Sequence, residues 1–181
     1  AHFVFTLGKW VKEVPYDPFY YFHGEEISLA ARSYTHGYDL FHPHKIIVYH
    51  EYTRKGRTKQ WDDDPEWVNR NNYAHQRNRA LFGMDGECSP CMKNSLGPYW
   101  FGEERTLADY ERFAGINFKK RAVQQYTLDN KFAPNPVIED PVEYENSFAS
   151  IFKHCIDIGY NQVPLDDYDF WAVAFEDENG N

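Results

Sequence analysis

The chain has 181 residues, of which 42% are hydrophobic and 18% aromatic, and its formal net charge is −9 at pH 7. That length suffices for one domain with a real core. The acidic balance offers no basic stripe for DNA or RNA, which excludes nucleic acid as an expected partner, and a phosphate-bearing ligand would need a metal ion or local positive groups.

Fourteen Tyr, fourteen Phe and five Trp supply core, and also flat amphipathic faces of the kind that sugars use. Phe3 to Phe5 and Trp10 to Val14 read as short strands leading to Pro15. "YDPFYYFHG" is an aromatic turn segment. In the helix predicted after it, Ile27, Ala30, Ala31 and Tyr34 recur at helical spacing on one apolar face, and Gly37 supplies the stop. "YDLFHP" reads as a strand closed by Pro43, and "KIIVYHEYT" as a second, stronger one. Asp64-Pro65 opens a polar and basic helix from Glu66 to about Phe82. Gly83 to Gly102 is a loop rich in turn residues. Thr106 to Asp109 starts a short helix through Phe113 that Gly115 ends. "FAPNPVIEDP" is linker-like, and a helix near Tyr144 to Ile156 and a strand at Phe170 to Phe175 complete the chain. The alternation predicts an α/β or α+β layer structure in one domain.

No apolar run is long enough to span a bilayer and no signal peptide is visible, which points to a cytoplasmic protein. Ala1 stands where a methionine would, and Asn179-Gly180 is a hairpin signal without a return strand. Both ends therefore read as cuts through a larger protein. Cys88, Cys91 and Cys155 are too few for a disulfide framework. Cys88-Ser-Pro-Cys91 reads as an incidental loop pair, with a local disulfide or metal clip as the lesser alternative.

Two features could carry chemistry. Glu25 and Glu26 follow Gly24 in a first helical turn. Acids there complement the helix dipole, which is reason enough for their presence. The functional reading has Gly24 bringing backbone close to a ligand while the carboxylates accept hydrogen bonds from sugar hydroxyls. His50, late on an apolar strand, is ordinarily a satisfied core or edge residue. Its alternative role is a divalent-metal ligand at the strand's mouth, with Arg54 beyond it meeting a phosphate.

The order "EVPYDP…GEEISLAARSYTHGYDLFHP…IIVYHEYTR" resembles the C-terminal half of a GlcNAc-transferase family, one that modifies a hydroxyproline on a protein. "LGPYWFGEERTLADYERFAGINF" is similar to the family's Gly-x-Gly, Arg-Thr/Ser-Leu and Tyr-x-x-Phe-x-Gly-Ile pattern, so the resemblance spans at least Val14 to Phe118. More distantly, Gly24-Glu25-Glu26 and His50 look like the Gly-Glu-Asn helix and metal-binding histidine of polypeptide GalNAc-transferases. The resemblance implies the acceptor-side part of a GT-A fold, a mixed sheet with flanking helices, its core portion in residues 1–60 and a family-specific region in 61–181. It implies a hexosyltransferase that takes GlcNAc from UDP-GlcNAc to a protein or glycan hydroxyl, with a divalent ion, Mn²⁺ by family habit, and retention at the anomeric carbon. Glu25 and Glu26 would then be catalytic, holding hydroxyls near the reacting centre. Gly24, Tyr52 and Arg54 would bind substrate, Arg54 steadying the leaving diphosphate, and His50 would be a metal ligand.

The family's Asp-x-Asp belongs to an N-terminal half that is expected to lie upstream. Asp62-Asp63-Asp64 is better explained as a helix cap. Asp167-Tyr168-Asp169 precedes a strand where the motif should follow one, and Glu176-Asp177-Glu178 runs into a turn. Two further classes stay open: a carbohydrate- or protein-binding module without chemistry, and a metal-dependent glycan hydrolase using Glu25 or Glu26 with His50.

Overall fold

A computed structural model of the chain describes residues 3–51, 56–86 and 89–149. Ala1–Ser150 and Ile151–Asn181 are separate compact units, and every element below belongs to the first. The three longest helices come where short-range signals put them. The stretch from Gly83 to Gly102, expected as a loop, instead holds the helix Pro90–Leu96, whose start Ser89 caps by accepting from the Met92 N–H, with proline at the first position. Gly24 leads into α2, Glu25–Thr35, and Gly37 adopts the left-handed conformation just past its end. The Asp64-Pro65 turn precedes α4, Trp67–Leu81: Asp64 accepts from the Glu66 backbone N–H at 3.0 Å through a side-chain oxygen and from the Trp67 N–H at 3.1 Å through its carbonyl. At α6, Leu107–Ala114, Thr106 accepts from the Asp109 N–H and the Asp109 carboxylate accepts from the Thr106 N–H, a reciprocal cap. Gly115, left-handed at φ 65°, ends α6.

Shorter helices fill the intervals: α1 at Trp10–Glu13, α3 at Gln60–Asp63, α5 at Pro90–Leu96, α7 at Gln125–Leu128 and α8 at Pro141–Asn146. Strands β1, Ile116–Asn117, and β2, Ala122–Val123, form one antiparallel hairpin with Ile116 opposite Val123. The described unit is thus helical with a small two-stranded sheet, a mixed α/β composition. The mixed sheet expected from the sequence is not formed among the described residues. Phe3 to Phe5, Tyr38 to Pro43 and Lys45 to Glu51 are irregular, and Ile46, Ile47, Val48 and Tyr49 are exposed. Their β-branched and aromatic content suits a pleated surface, but a strand exists only when a neighbouring strand accepts its hydrogen bonds. The expected strand at Trp10 to Val14 is instead the single turn α1. The Trp10 indole donates to Ser33 Oγ at 2.8 Å, which seats that turn on α2 and buries Val14 completely. Of the helix expected near Tyr144 to Ile156, the described part is α8, which ends at Asn146; residues 150–156 and the last strand, Phe170 to Phe175, lie outside the described residues.

The core lies where α2, α4, α5 and α6 meet. Ala31, Leu81, Phe82, Leu96 and Tyr110 are its buried members, with Ile27, Ala30 and Tyr34 of the expected α2 face packed against them. Phe82 stacks on Phe118 at 3.8 Å between ring centres, which ties the hairpin to α4. The proline stretch after Lys131 is not a free linker. Buried Asn135 donates to Gln124 Oε1 at 2.8 Å and to Thr127 Oγ1 at 2.9 Å, and its backbone N–H donates to the Phe113 carbonyl. No helix among the described residues is long and apolar enough to cross a membrane.

Candidate functional site

The start of α2 is built around Gly24. Its φ is +97°, where L side chains rarely go, and a Cβ there would lie 2.7 Å from Asn78 Nδ2 and 3.0 Å from the Tyr20 ring. Glycine is therefore required twice, by conformation and by contact. Asn78, on α4, also accepts a 2.8 Å hydrogen bond from Tyr20 OH, and burial pushes that phenol's pKa up to about 12. The turn presses the N-terminus of α2 against Asn78 in the last turn of α4 and sets the two acids apart. Glu26 is exposed and Glu25 half-buried. Glu25 Oε2 is closed off from solvent and has no hydrogen-bond partner among the described residues. A buried carboxylate oxygen without a donor is costly. It is also what a hydroxyl-bearing ligand would satisfy. The Tyr16 hydroxyl is raised in pKa first by burial and then by the nearby charges of Glu25 and Asp17.

Beneath this turn lies a charged hub. Arg77 of α4 is wholly buried; its Nε and Nη2 donate to Asp17 Oδ2 at 2.9 and 2.6 Å, and its Nη1 donates to Ser95 Oγ at 2.7 Å. The guanidinium sits 4.8 Å from the Phe19 ring centre, a cation–π contact. Arg32 of α2, 1% exposed, donates to the Pro15 carbonyl at 2.8 Å, and burial lowers its pKa. Both arginines thus hold the "VPYDP" loop, and Asp17 is the acid that faces them. The sequence showed Arg77 only as part of a polar, basic helix; no local signal marks an arginine as core.

Beside the same helix start is an aromatic cleft of about 230 Å³, lined by Tyr21, Phe22, His23, Trp61, Trp67 and Asn71. Phe22 meets Trp61 edge to face at 5.6 Å, and His23 lies 4.4 Å from Phe22 and 6.0 Å from His75 between ring centres. Asn71 Oδ1 is the second buried polar atom without a partner. Sequence reasoning noted the aromatic run before Gly24 but not Trp61, Trp67 or Asn71, which arrive from far downstream in the chain. A second cavity, about 300 Å³, lies on the far side of α6 between Tyr34, Arg105, Arg112, Phe113, Tyr144 and the Pro134–Ile138 wall. Its cations already have acids, Arg105 pairing with Asp39 at 2.7 Å and Arg112 approaching Asp109 at 3.8 Å.

The remaining expected site residues sit elsewhere or beyond description. His50 is exposed on the irregular segment, and Tyr52 and Arg54 lie outside the described residues. Among the described residues, no group of three or more His, Cys, Asp or Glu converges as a metal-holding cluster, so these residues do not by themselves make a metal site. Asp62 and Asp63 form part of α3, and Asp64 caps the turn into α4, in line with the capping reading. Cys91 is a free, exposed thiol in α5, and Cys88 lies outside the described residues.

The sequence model of one family, described as glycosyltransferase (GlcNAc), matches residues 1–120. That span contains Gly24, Glu25, Glu26, the charged hub, the aromatic cleft and His50. No curated protein matches the chain, and no solved structure does.

Proposed function

The chain belongs to the glycosyltransferase (GlcNAc) family, and we propose that it serves the transfer of GlcNAc from UDP-GlcNAc to a hydroxyl of a protein or glycan acceptor, within a GT-A architecture. One observation carries the assignment of the site: the half-buried Glu25, with a carboxylate oxygen that no other described residue satisfies, at a helix start whose positive φ favours glycine. A sugar hydroxyl donating to that carboxylate would form a short, charge-assisted hydrogen bond. The same bond orients the hydroxyl and, for an acceptor, draws off proton density as the oxygen attacks the anomeric carbon. Glu26, one residue on and exposed, offers a second acceptor on the solvent side. The α2 amides supply positive potential at that end of the helix, which complements acidic side chains in the first turn.

In this reading Tyr52 contacts substrate, Arg54 steadies the diphosphate, and His50 gives one imidazole to a divalent ion, Mn²⁺. The ion would stabilise negative charge on departing UDP. Retention at the anomeric carbon belongs to the same proposal. A second reading, a carbohydrate-binding module without chemistry, is favoured by the aromatic cleft alone.

The test is release of UDP from UDP-GlcNAc by the full natural chain with Mn²⁺ and candidate acceptors. Glu25→Gln should lower kcat by about 10²-fold or more at unchanged fold, and His50→Ala should remove the metal dependence. Glycan binding with no UDP release under any condition would decide for the binding module. Glycan cleavage without a nucleotide sugar would decide for a hydrolase.

A further inference from the structure

We propose that the cleft formed by Tyr21, Phe22, His23, Trp61, Trp67 and Asn71 binds one neutral pyranose ring, belonging to the acceptor. The word acceptor rests on the transferase reading; the binding of a pyranose does not.

Three properties of the cleft select the ligand. Its volume, about 230 Å³, is that of a single-ring site, since pockets for drug-sized ligands begin at roughly 300 Å³. None of its six lining residues is Lys, Arg, Asp or Glu, so it offers no ion pair to a phosphate, a carboxylate or an amine. Its walls are aromatic, with Phe22 and Trp61 at right angles to one another. That corner accepts a rigid ring with an apolar face, and a pyranose presents such a face through its axial C–H groups. The edge of the same ring carries hydroxyls that both donate and accept. Asn71 answers that edge: its carbonyl oxygen is buried without a partner, and its amide makes no hydrogen bond to the other described residues. A side-chain amide offers two donors and an acceptor. A proline ring would fill the same corner but has no donor for the Asn71 oxygen, and a hydroxyproline brings one hydroxyl where a pyranose edge carries several.

Placement adds the role. Tyr21, Phe22 and His23 run directly into Gly24 and Glu25, so three of the cleft's walls are continuous in sequence with the start of α2. Donor chemistry needs a diphosphate and cations, which this cleft lacks. The ring it holds is therefore assigned to the acceptor, as a sugar borne by a glycan or a glycosylated protein.

Trp61 and Trp67 provide the readout. The chain would be titrated with the methyl glycosides of glucose, galactose and N-acetylglucosamine, with no nucleotide and no metal, while tryptophan fluorescence is followed. A saturable change with at least one of them is expected, with a Kd on the order of 1 mM. Asn71→Leu should weaken it about tenfold by removing the hydrogen-bonding group. Should that variant fail to fold, sugar-dependent shielding of tryptophan from acrylamide in the unaltered chain gives the answer. No saturable change at about tenfold higher sugar than that Kd would overturn the proposal, as would saturation by a proline-rich peptide in place of the pyranosides. UDP release without pyranoside binding would refute the cleft and leave the transferase reading standing. Pyranoside binding without UDP release would do the reverse.

Discussion

Asp17→Asn removes one charge and almost no volume, yet the structure makes it the most damaging single change in the described unit. Asp17 is 2% exposed and Arg77 is fully buried, so no solvent can replace what is lost. The carboxylate accepts two bonds from Arg77 through Oδ2 and one from the Phe19 N–H at 3.1 Å through Oδ1. Removing one partner of a buried pair costs about 3–5 kcal/mol, because the surviving charge stays desolvated. Ser95 and the Phe19 ring keep some compensation for Arg77, which argues for the lower part of that range. Against that, Arg32 also feels the Asp17 charge, so the amide would leave two buried guanidinium groups facing no acid. We expect a loss near 4 kcal/mol, or roughly 8–16 °C in Tm for a chain of this size. Arg77→Met should cost less, since Asp17 would still face Arg32. The double variant should be more stable than the sum of the singles implies. Circular dichroism melts of the four proteins give all of these numbers. The reasoning is refuted if Asp17→Asn lies within about 1 kcal/mol of the unaltered chain, or if Arg77→Met proves the more damaging.

Other outcomes follow from equally local geometry. Gly102→Ala would bring a Cβ to 2.6 Å from the backbone of Thr35 and His36, and backbone cannot swing aside; a loss of about 1–3 kcal/mol is expected in denaturant melts, and an unchanged midpoint would sink the contact. Thr106→Ala removes the α6 cap and should cost about 1 kcal/mol in the same assay. The hydrogen bonds from the Thr106 side chain and backbone hold the Asp109 carboxyl below its ordinary 3.8. A depressed acid stabilises the fold above its unfolded pKa and loses that contribution as pH falls through the folded value. Stability should therefore drop as pH falls below about 4 less steeply in Thr106→Ala than in the parent, and parallel curves would contradict the assignment.

How much was legible differs element by element. The start and stop of α6 could be read because Thr106, Asp109 and Gly115 act within a few residues of one another. The α2 face was read for the same reason, and the Glu25-Glu26 pair was correctly placed in its first turn. The segment from Lys45 to Glu51 was read as a strand on side-chain preference alone. Preference is a local quantity, but pairing is not, and the described residues supply that segment no partner strand.

The sequence by itself determined where α2, α4 and α6 begin and end, the family and the acidic pair behind a glycine, since each depends on residues within a turn or two, or on motif order. Only the tertiary structure decided that Arg77 and Arg32 are core, that Glu25 keeps an unsatisfied oxygen, and that Trp61, Trp67 and Asn71 close a cleft on Phe22. Those outcomes join positions some 40 to 60 apart, as when Arg77 meets Asp17 across 60 residues. A side chain's burial is set by what the rest of the chain brings to it. No periodicity of three or four residues can carry that information.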